Sequence, residues 1–114
     1  MRNDLMTKAV AERLLRCPLG SQQDKDEKEV LVRYFSPYGL AQWEVVEAER
    51  KEDGDYQFFG YITSCNGASE TWGFFYLSQI ARSYIDIHGI HLPMERDTMN
   101  YGYTITNNGS RILR

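Results

Sequence analysis

Three short runs hold the residue types that chemistry needs. Cys65 stands beside Asn66-Gly67, a pair that favours a turn, so its thiol is placed to act as an exposed nucleophile. A reactive cysteine also needs a base or a positive field to lower its pKa. Nothing adjacent to Cys65 in the sequence supplies one, and an ordinary cysteine at a strand end is the preferred reading. His88 and His91 form H-x-x-H, which holds a metal when the backbone presents both imidazoles to one point. Only Asp86 and Glu95 stand nearby as further ligands, and Gly89 argues against a helix there. Glu95-Arg96-Asp97 offers an arginine whose planar fork grips a carboxylate or phosphate in two parallel hydrogen bonds. A structural clamp, with a mostly buried Arg96 fixing the chain after Pro93 to a sheet, is preferred over a ligand site. No catalytic or metal-ligating residue is assigned, no cofactor is expected, and the chain reads as a binder rather than an enzyme.

Binding needs different residues. Trp72, Phe74 and Tyr76 alternate, so they share one face of a strand, with Phe75 on the other. The run TWGFFYL resembles the aromatic strand on which RNA-recognition domains stack bases, but that pattern carries Lys or Arg before the glycine, where this chain has Thr71 and Trp72. Core packing is the preferred role, with Trp72 and Phe58 expected as core rings. One face of the sheet must still show aromatic surface or be covered, and an exposed aromatic patch most naturally meets a protein. The acidic runs DKDEKE and EAERKEDGD allow mimicry of nucleic-acid charge, but Lys25, Lys28, Arg50 and Lys51 dilute the field and solvated loops are the preferred reading. The candidate binding residues are therefore Glu47, Glu49, Glu52 and Asp53 of an acidic hairpin, Trp72 and Tyr76 of the aromatic strand, and Arg96.

Composition narrows the partners. A chain of 114 residues with 42% apolar and 25% charged residues suits one globular domain, 1–114. A net charge of −3 opposes sequence-independent nucleic-acid binding, which needs cations to displace counterions from phosphates. Two cysteines far apart, Cys17 and Cys65, make a disulfide scaffold unexpected and a reducing cytoplasm the simpler location. The opening MRNDLMTKAVAERLLRCPLG has acidic residues and no continuous apolar core, so neither a signal peptide nor a membrane span is expected.

These residues need elements to position them. The spacing of Met6, Val10 and Leu14, with Ala9 and Leu15 beside them, predicts a helix over 7–16, capped by Thr7 and stopped by Pro18 and Gly20. Residues 21–29, SQQDKDEKE, contain no apolar side chain and read as an exposed loop that tolerates replacement. Strands follow over 29–35, 41–48, 56–63 and 71–76, joined by turns at Pro37-Tyr38-Gly39, Asp53-Gly54 and Asn66-Gly67. Gly60 marks a place where another backbone or ring approaches closely. A short helix over 78–84, capped by Ser78, turns Leu77, Ile80, Ala81 and Tyr84 to the sheet; Gly89 and Pro93 then break an irregular connection. The tail pairs as a hairpin about Asn108-Gly109. The result is an α+β fold: an antiparallel meander of four or more strands, an N-terminal helix, and one short helix after the fourth strand.

The runs DLMTKAVAERLL, VLVRYFSPYGLAQWEVVEAE, FFGY, WGFFYL and LPMERD together resemble a family of small bacterial and plasmid-borne proteins, the domain of unknown function 2958. The resemblance covers residues 4–97, and its most specific part is LPMERD, where the family usually carries LPIERD; the hairpin over 98–114 diverges. It implies a small single domain often carried on mobile elements, and no catalytic residues. The leading expectation is a cytoplasmic protein-interaction module of a mobile element, an inhibitor of a host defence protein being one version. The alternatives are a nucleic-acid-binding accessory using Arg33, Arg82, Arg96, Arg111 and Arg114, and a small enzyme built on Cys65 or the histidines.

Overall fold

The computed structural model describes residues 5–99 and 101–113; readings that touch Asp4, Asn100 and Arg114 lie outside the described residues. Helix α1 spans Lys8–Leu14, and the Thr7 hydroxyl accepts the Val10 N–H at 3.2 Å to cap it. Val10 and Leu14 are buried, while Ala9 is exposed and Leu15, at the C-cap, is 81% exposed, so the apolar stripe is narrower than the sequence suggests.

The chain from residue 27 to residue 35 is read from sequence as an exposed end followed by one strand; in the fold it serves two sheets. Strand β1 (Glu27–Glu29) pairs with β9 (Thr104–Thr106) near the C-terminus, itself paired with β10 (Arg111–Ile112). At Val30 the backbone still donates to Tyr103; at Leu31 it turns to Val45 instead. Strand β2 (Val32–Phe35) then enters a five-stranded antiparallel sheet with β3 (Gln42–Arg50), β4 (Tyr56–Thr63), β5 (Glu70–Tyr76) and β8 (Glu95–Arg96). The order is β5-β4-β3-β2-β8.

Helix α2 (Leu77–Arg82) follows β5 directly. It starts one residue before the expected Ser78 cap, and Ser78 instead binds Asp55 of the β3–β4 turn, its N–H at 3.0 Å and its hydroxyl at 2.6 Å. Leu77, Ile80 and Ala81 meet the core as expected, but Tyr84 is exposed and opens β6 (Tyr84–Ile87). β6 pairs with β7 (Ile90–Pro93), so the expected irregular connection is a hairpin. Its two-residue turn is His88-Gly89, both at positive φ, the geometry that matches the twist of flanking strands. The α+β expectation therefore holds, with the strands divided among three sheets.

The large sheet is apolar on both faces. Val10, Leu14, Tyr34, Val45, Phe58, Phe75 and Ile80 fill one side, under the two helices. Val30, Val46, Tyr61, Tyr103 and Ile105 fill the other, under the small sheet. Strand β3 serves both cores through alternation, Val45 to one and Val46 to the other, and its register slips between Val45 and Glu47, leaving Val46 as an extra residue. Gly60 sits opposite this bulge, and a Cβ there would lie 2.0 Å from the Glu44 carbonyl oxygen, which is why no side chain fits.

Residues 21–28 are not the replaceable loop that their polarity suggests. Gln22 is wholly buried; its side-chain amide donates to the carbonyls of Glu29 (2.9 Å) and Val46 (2.7 Å) and accepts from Glu29 N–H at 2.7 Å. Lys28 is also buried, donating to the Lys25 carbonyl at 2.6 Å and Asn107 at 3.0 Å. Gln22→Ala should cost about 2–4 kcal/mol in urea unfolding, since it orphans several buried polar groups together. An unchanged midpoint would return this segment to the surface.

Candidate functional site

Three arrangements gather polar or exposed apolar groups. The first is internal. Glu44 and Glu47 lie three residues apart on β3, a spacing that in a regular strand places side chains on opposite faces. The bulge at Val46 brings both to the face that carries Tyr61 and Phe59, and both are fully buried. Arg111 grips Glu44 with two bonds, Nη2–Oε1 at 2.6 Å and Nε–Oε2 at 2.9 Å, while the Tyr103 hydroxyl donates to Oε2 at 2.5 Å. Glu47 accepts N–H groups from Gly20 (2.7 Å) and Gln22 (2.8 Å) and the side-chain amide of Gln23. Glu47, expected in an acidic contact surface, is therefore an internal anchor.

Beside Glu44 a cleft of about 350 Å³ is lined by Arg33, Gln42, Asp97, Tyr103, Arg111 and Leu113. Arg33 binds Asp97 at 2.6 Å and Gln42 at 2.6 Å. At the ERD run Arg33 and Asp97 form a clamp, and Arg96, on β8, is itself only partly exposed. Each carboxylate here faces an arginine, leaving no base beside a nucleophile. Burial, reinforced by the hydrogen bond to Glu44 and its charge, pushes the Tyr103 phenol above its ordinary range. The cleft is an electrostatic fastening of the C-terminal hairpin.

The second arrangement is a groove of about 660 Å³ between α1 and the outer end of β3–β4. Ala11, Leu14, Leu15, Pro18, Ala48 and Tyr56 give it an apolar floor, and Lys8, Glu12, Glu49 and Arg50 a charged rim. Glu52 and Asp53 project from the adjoining turn, both exposed. The turn is firm: desolvation opposes ionisation of Asp55, but hydrogen bonds from the Ser78 hydroxyl and the Tyr56 and Ser78 amides outweigh it and hold its pKa low. Of the expected acidic set, Glu49, Glu52 and Asp53 come together here.

The third is the aromatic end of the sheet. Phe59 stacks on Trp72 with ring centres 5.7 Å apart and tilts against Phe74 at 5.0 Å, while Tyr61 meets Trp72 edge-on at 5.1 Å. Phe75 is the buried ring of β5; Phe74 is 60% exposed and Tyr76 is exposed, while Trp72, partly buried, packs against the core cluster of Tyr61 and Tyr103. The Trp72 indole N–H donates to the Asn107 carbonyl at 2.8 Å, which fixes its plane. Arg96 lies on β8, at the opposite edge of the sheet from Trp72 and Tyr76, so these expected residues form no joint site.

The remaining motifs have local explanations. His91 bonds Asp86 at 3.2 Å and stacks on Tyr84, while His88 occupies the turn. Among the described residues no group of three or more His, Cys, Asp or Glu is placed to hold a metal. Cys65 is exposed in its turn and Cys17 is buried, both as free thiols. Two of the arginines invoked for nucleic acid, Arg33 and Arg111, are paired with internal carboxylates. No helix among the described residues is long and apolar enough to cross a membrane.

The chain matches no protein-family model, no curated protein and no solved structure.

Sequence reading missed Glu44, Arg111, Gln22 and Leu15. The only early signal was Glu44, an acid flanked by Trp43 and Val45, which alternation assigns to solvent. Arg111→Met should cost about 3 kcal/mol in chemical unfolding, because Glu44 stays buried with its main cation gone. The double variant Arg111→Met/Glu44→Gln should recover part of that loss, and failure to recover any would dissociate the pair. Tyr103, with its pKa raised on folding, contributes stability that is complete below its ordinary value of 10 and is lost as pH rises above it. Tyr103→Phe should therefore flatten the alkaline limb of a melting-temperature profile.

Proposed function

We propose that this protein works by binding another protein, seating in the groove between α1 and the β3–β4 hairpin a partner segment that carries an apolar side chain flanked by basic residues. The observation that supports this reading is Leu15, 81% exposed at the mouth of an apolar groove. A leucine left so open beside Pro18 and Ala11 gains by covering, and a buried apolar centre with a polar rim is the usual anatomy of an interface. The preference for a basic flank comes from Glu12 and Glu49 on the rim together with Glu52 and Asp53 at the tip. Lys8, Arg50 and Lys51 temper that field, and Lys51 is already engaged with Glu49 at 2.9 Å.

The resemblance to the family of mobile-element proteins supplies the setting. In that setting the partner is a host or element-encoded protein met in the cytoplasm, and blocking a defence protein is one form the binding takes. Groove binding needs no cofactor and no catalytic group.

The test compares capture of a partner from host lysate by the wild-type chain and by variants with matched melting temperatures. Leu15→Asp should abolish retention. Glu52→Lys/Asp53→Lys should weaken it, and the weakening should shrink as salt is raised. Retention that survives all three substitutions would remove the groove as the contact, and salt-sensitive retention of nucleic acid with no protein would overturn the reading itself.

A further inference from the structure

The five-stranded sheet ends very differently at its two edges. At one edge β8 is two residues long and both are charged, Glu95 and Arg96, which is how native sheets discourage pairing with other chains. At the other edge β5 runs seven residues, Glu70–Tyr76, in unbroken register with β4. It contains no Lys, Arg or Pro, no bulge interrupts it, and among the described residues no strand lies outside it. The usual protections of an edge are missing here, while the rings of Trp72 and Phe74 stand beside it.

We infer that β5 pairs with β5 of a second copy of this chain, antiparallel and centred on Gly73, to make one continuous ten-stranded sheet across a two-fold axis. The strand is self-complementary in that register. Glu70, Trp72, Phe74 and Tyr76 share the face that carries Tyr61 and Phe59. Centring on Gly73 sets Glu70 opposite Tyr76 of the second copy and Trp72 opposite its Phe74. The carboxylate meets a phenol, a hydrogen-bond donor, and never its own copy; the two large rings form cross-strand aromatic pairs. Shifting the register by one pair in either direction sets Trp72 or Phe74 against itself and leaves two strand ends unpaired. On the other face Gly73 meets Gly73, so nothing obstructs the centre. A foreign strand would have to supply this complementarity separately, whereas a second copy carries it in its own sequence. The surface is separate from the groove, so this inference stands or falls independently of the proposed function.

Mass by light scattering and sedimentation provides the first reading: the wild-type chain should run at twice its 13.3 kDa mass at micromolar concentration. Phe74→Lys, at a ring already 60% exposed, should keep the fold by circular dichroism and run as a monomer. Cross-linking reads the register. In a Cys65→Ser background, Gly73→Cys should oxidise to a covalent dimer, because directly opposed residues lie about 4.5–5.5 Å apart, within disulfide reach. The new Cβ meets only the tip of Ile62 at 3.3 Å, so the substitution is accommodated. Thr71→Cys in the same background should stay uncrosslinked, since the two copies would lie about 13 Å apart along the strands. A monomeric wild type, a dimer indifferent to Phe74→Lys, or cross-linking through residue 71 in place of 73 would each overturn the inference.

Discussion

Two carboxylates buried on one face of one strand organise this molecule. Charge leaves water only when it gains enough hydrogen bonds in return, and Glu44 and Glu47 gain theirs from segments distant in the chain. Glu44 takes Arg111 and Tyr103 from the C-terminal hairpin; Glu47 takes Gly20, Gln22 and Gln23 from the turn after α1. Each glutamate thus ties a polar stretch with little apolar content of its own to the central sheet. Were Val46 paired in a regular ladder instead of bulged, one of the two would face the helices, and one of these stretches would lose its anchor.

The same bulge explains the shape of the surroundings. The Glu44 carbonyl leans across β4, and only a glycine at 60 leaves space for it. Gln22 bridges the Val46 carbonyl to the backbone of Glu29, so the chain entering β1 is held against the bulge. From there residues 27–35 pair first with β9 and then with β3. The small sheet closes one face of the large one, the helices close the other, and no strand or helix among the described residues covers the outer edge of β5 or the groove beside α1.

On the readings proposed above, those two surfaces would divide the work of recognition. The groove has an apolar floor and a mixed rim, suited to a side chain inserted from a partner. The β5 edge offers main-chain pairing with rings alongside, suited to a strand. Their separation allows an assembly of two copies to present two grooves at once, which would raise avidity for a repetitive or dimeric partner without any new contact.

Local signals in the sequence determined much of the fold. Thr7 as a cap, Pro18 as a stop, β-branched and aromatic runs, and glycine-containing turns act within a few residues, and they give α1, β3, β4 and β5 nearly as they stand. Alternation likewise set Phe75 opposite Trp72 and Phe74. What the sequence alone misjudged was polarity. Gln22, Lys28, Glu44 and Glu47 read as solvated because their side chains are polar, yet all are buried. Their burial depends on partners in distant segments, as with Glu44 and Arg111, 67 positions apart, and on one inserted residue that reverses a face. Leu15 errs the other way: helical spacing allots it to the core, but it stands 81% exposed at the C-cap of α1. Only the tertiary structure decides such cases, because burial is a property of what packs against a side chain, and the hydrogen bonds that make a buried charge tolerable join residues no local pattern connects.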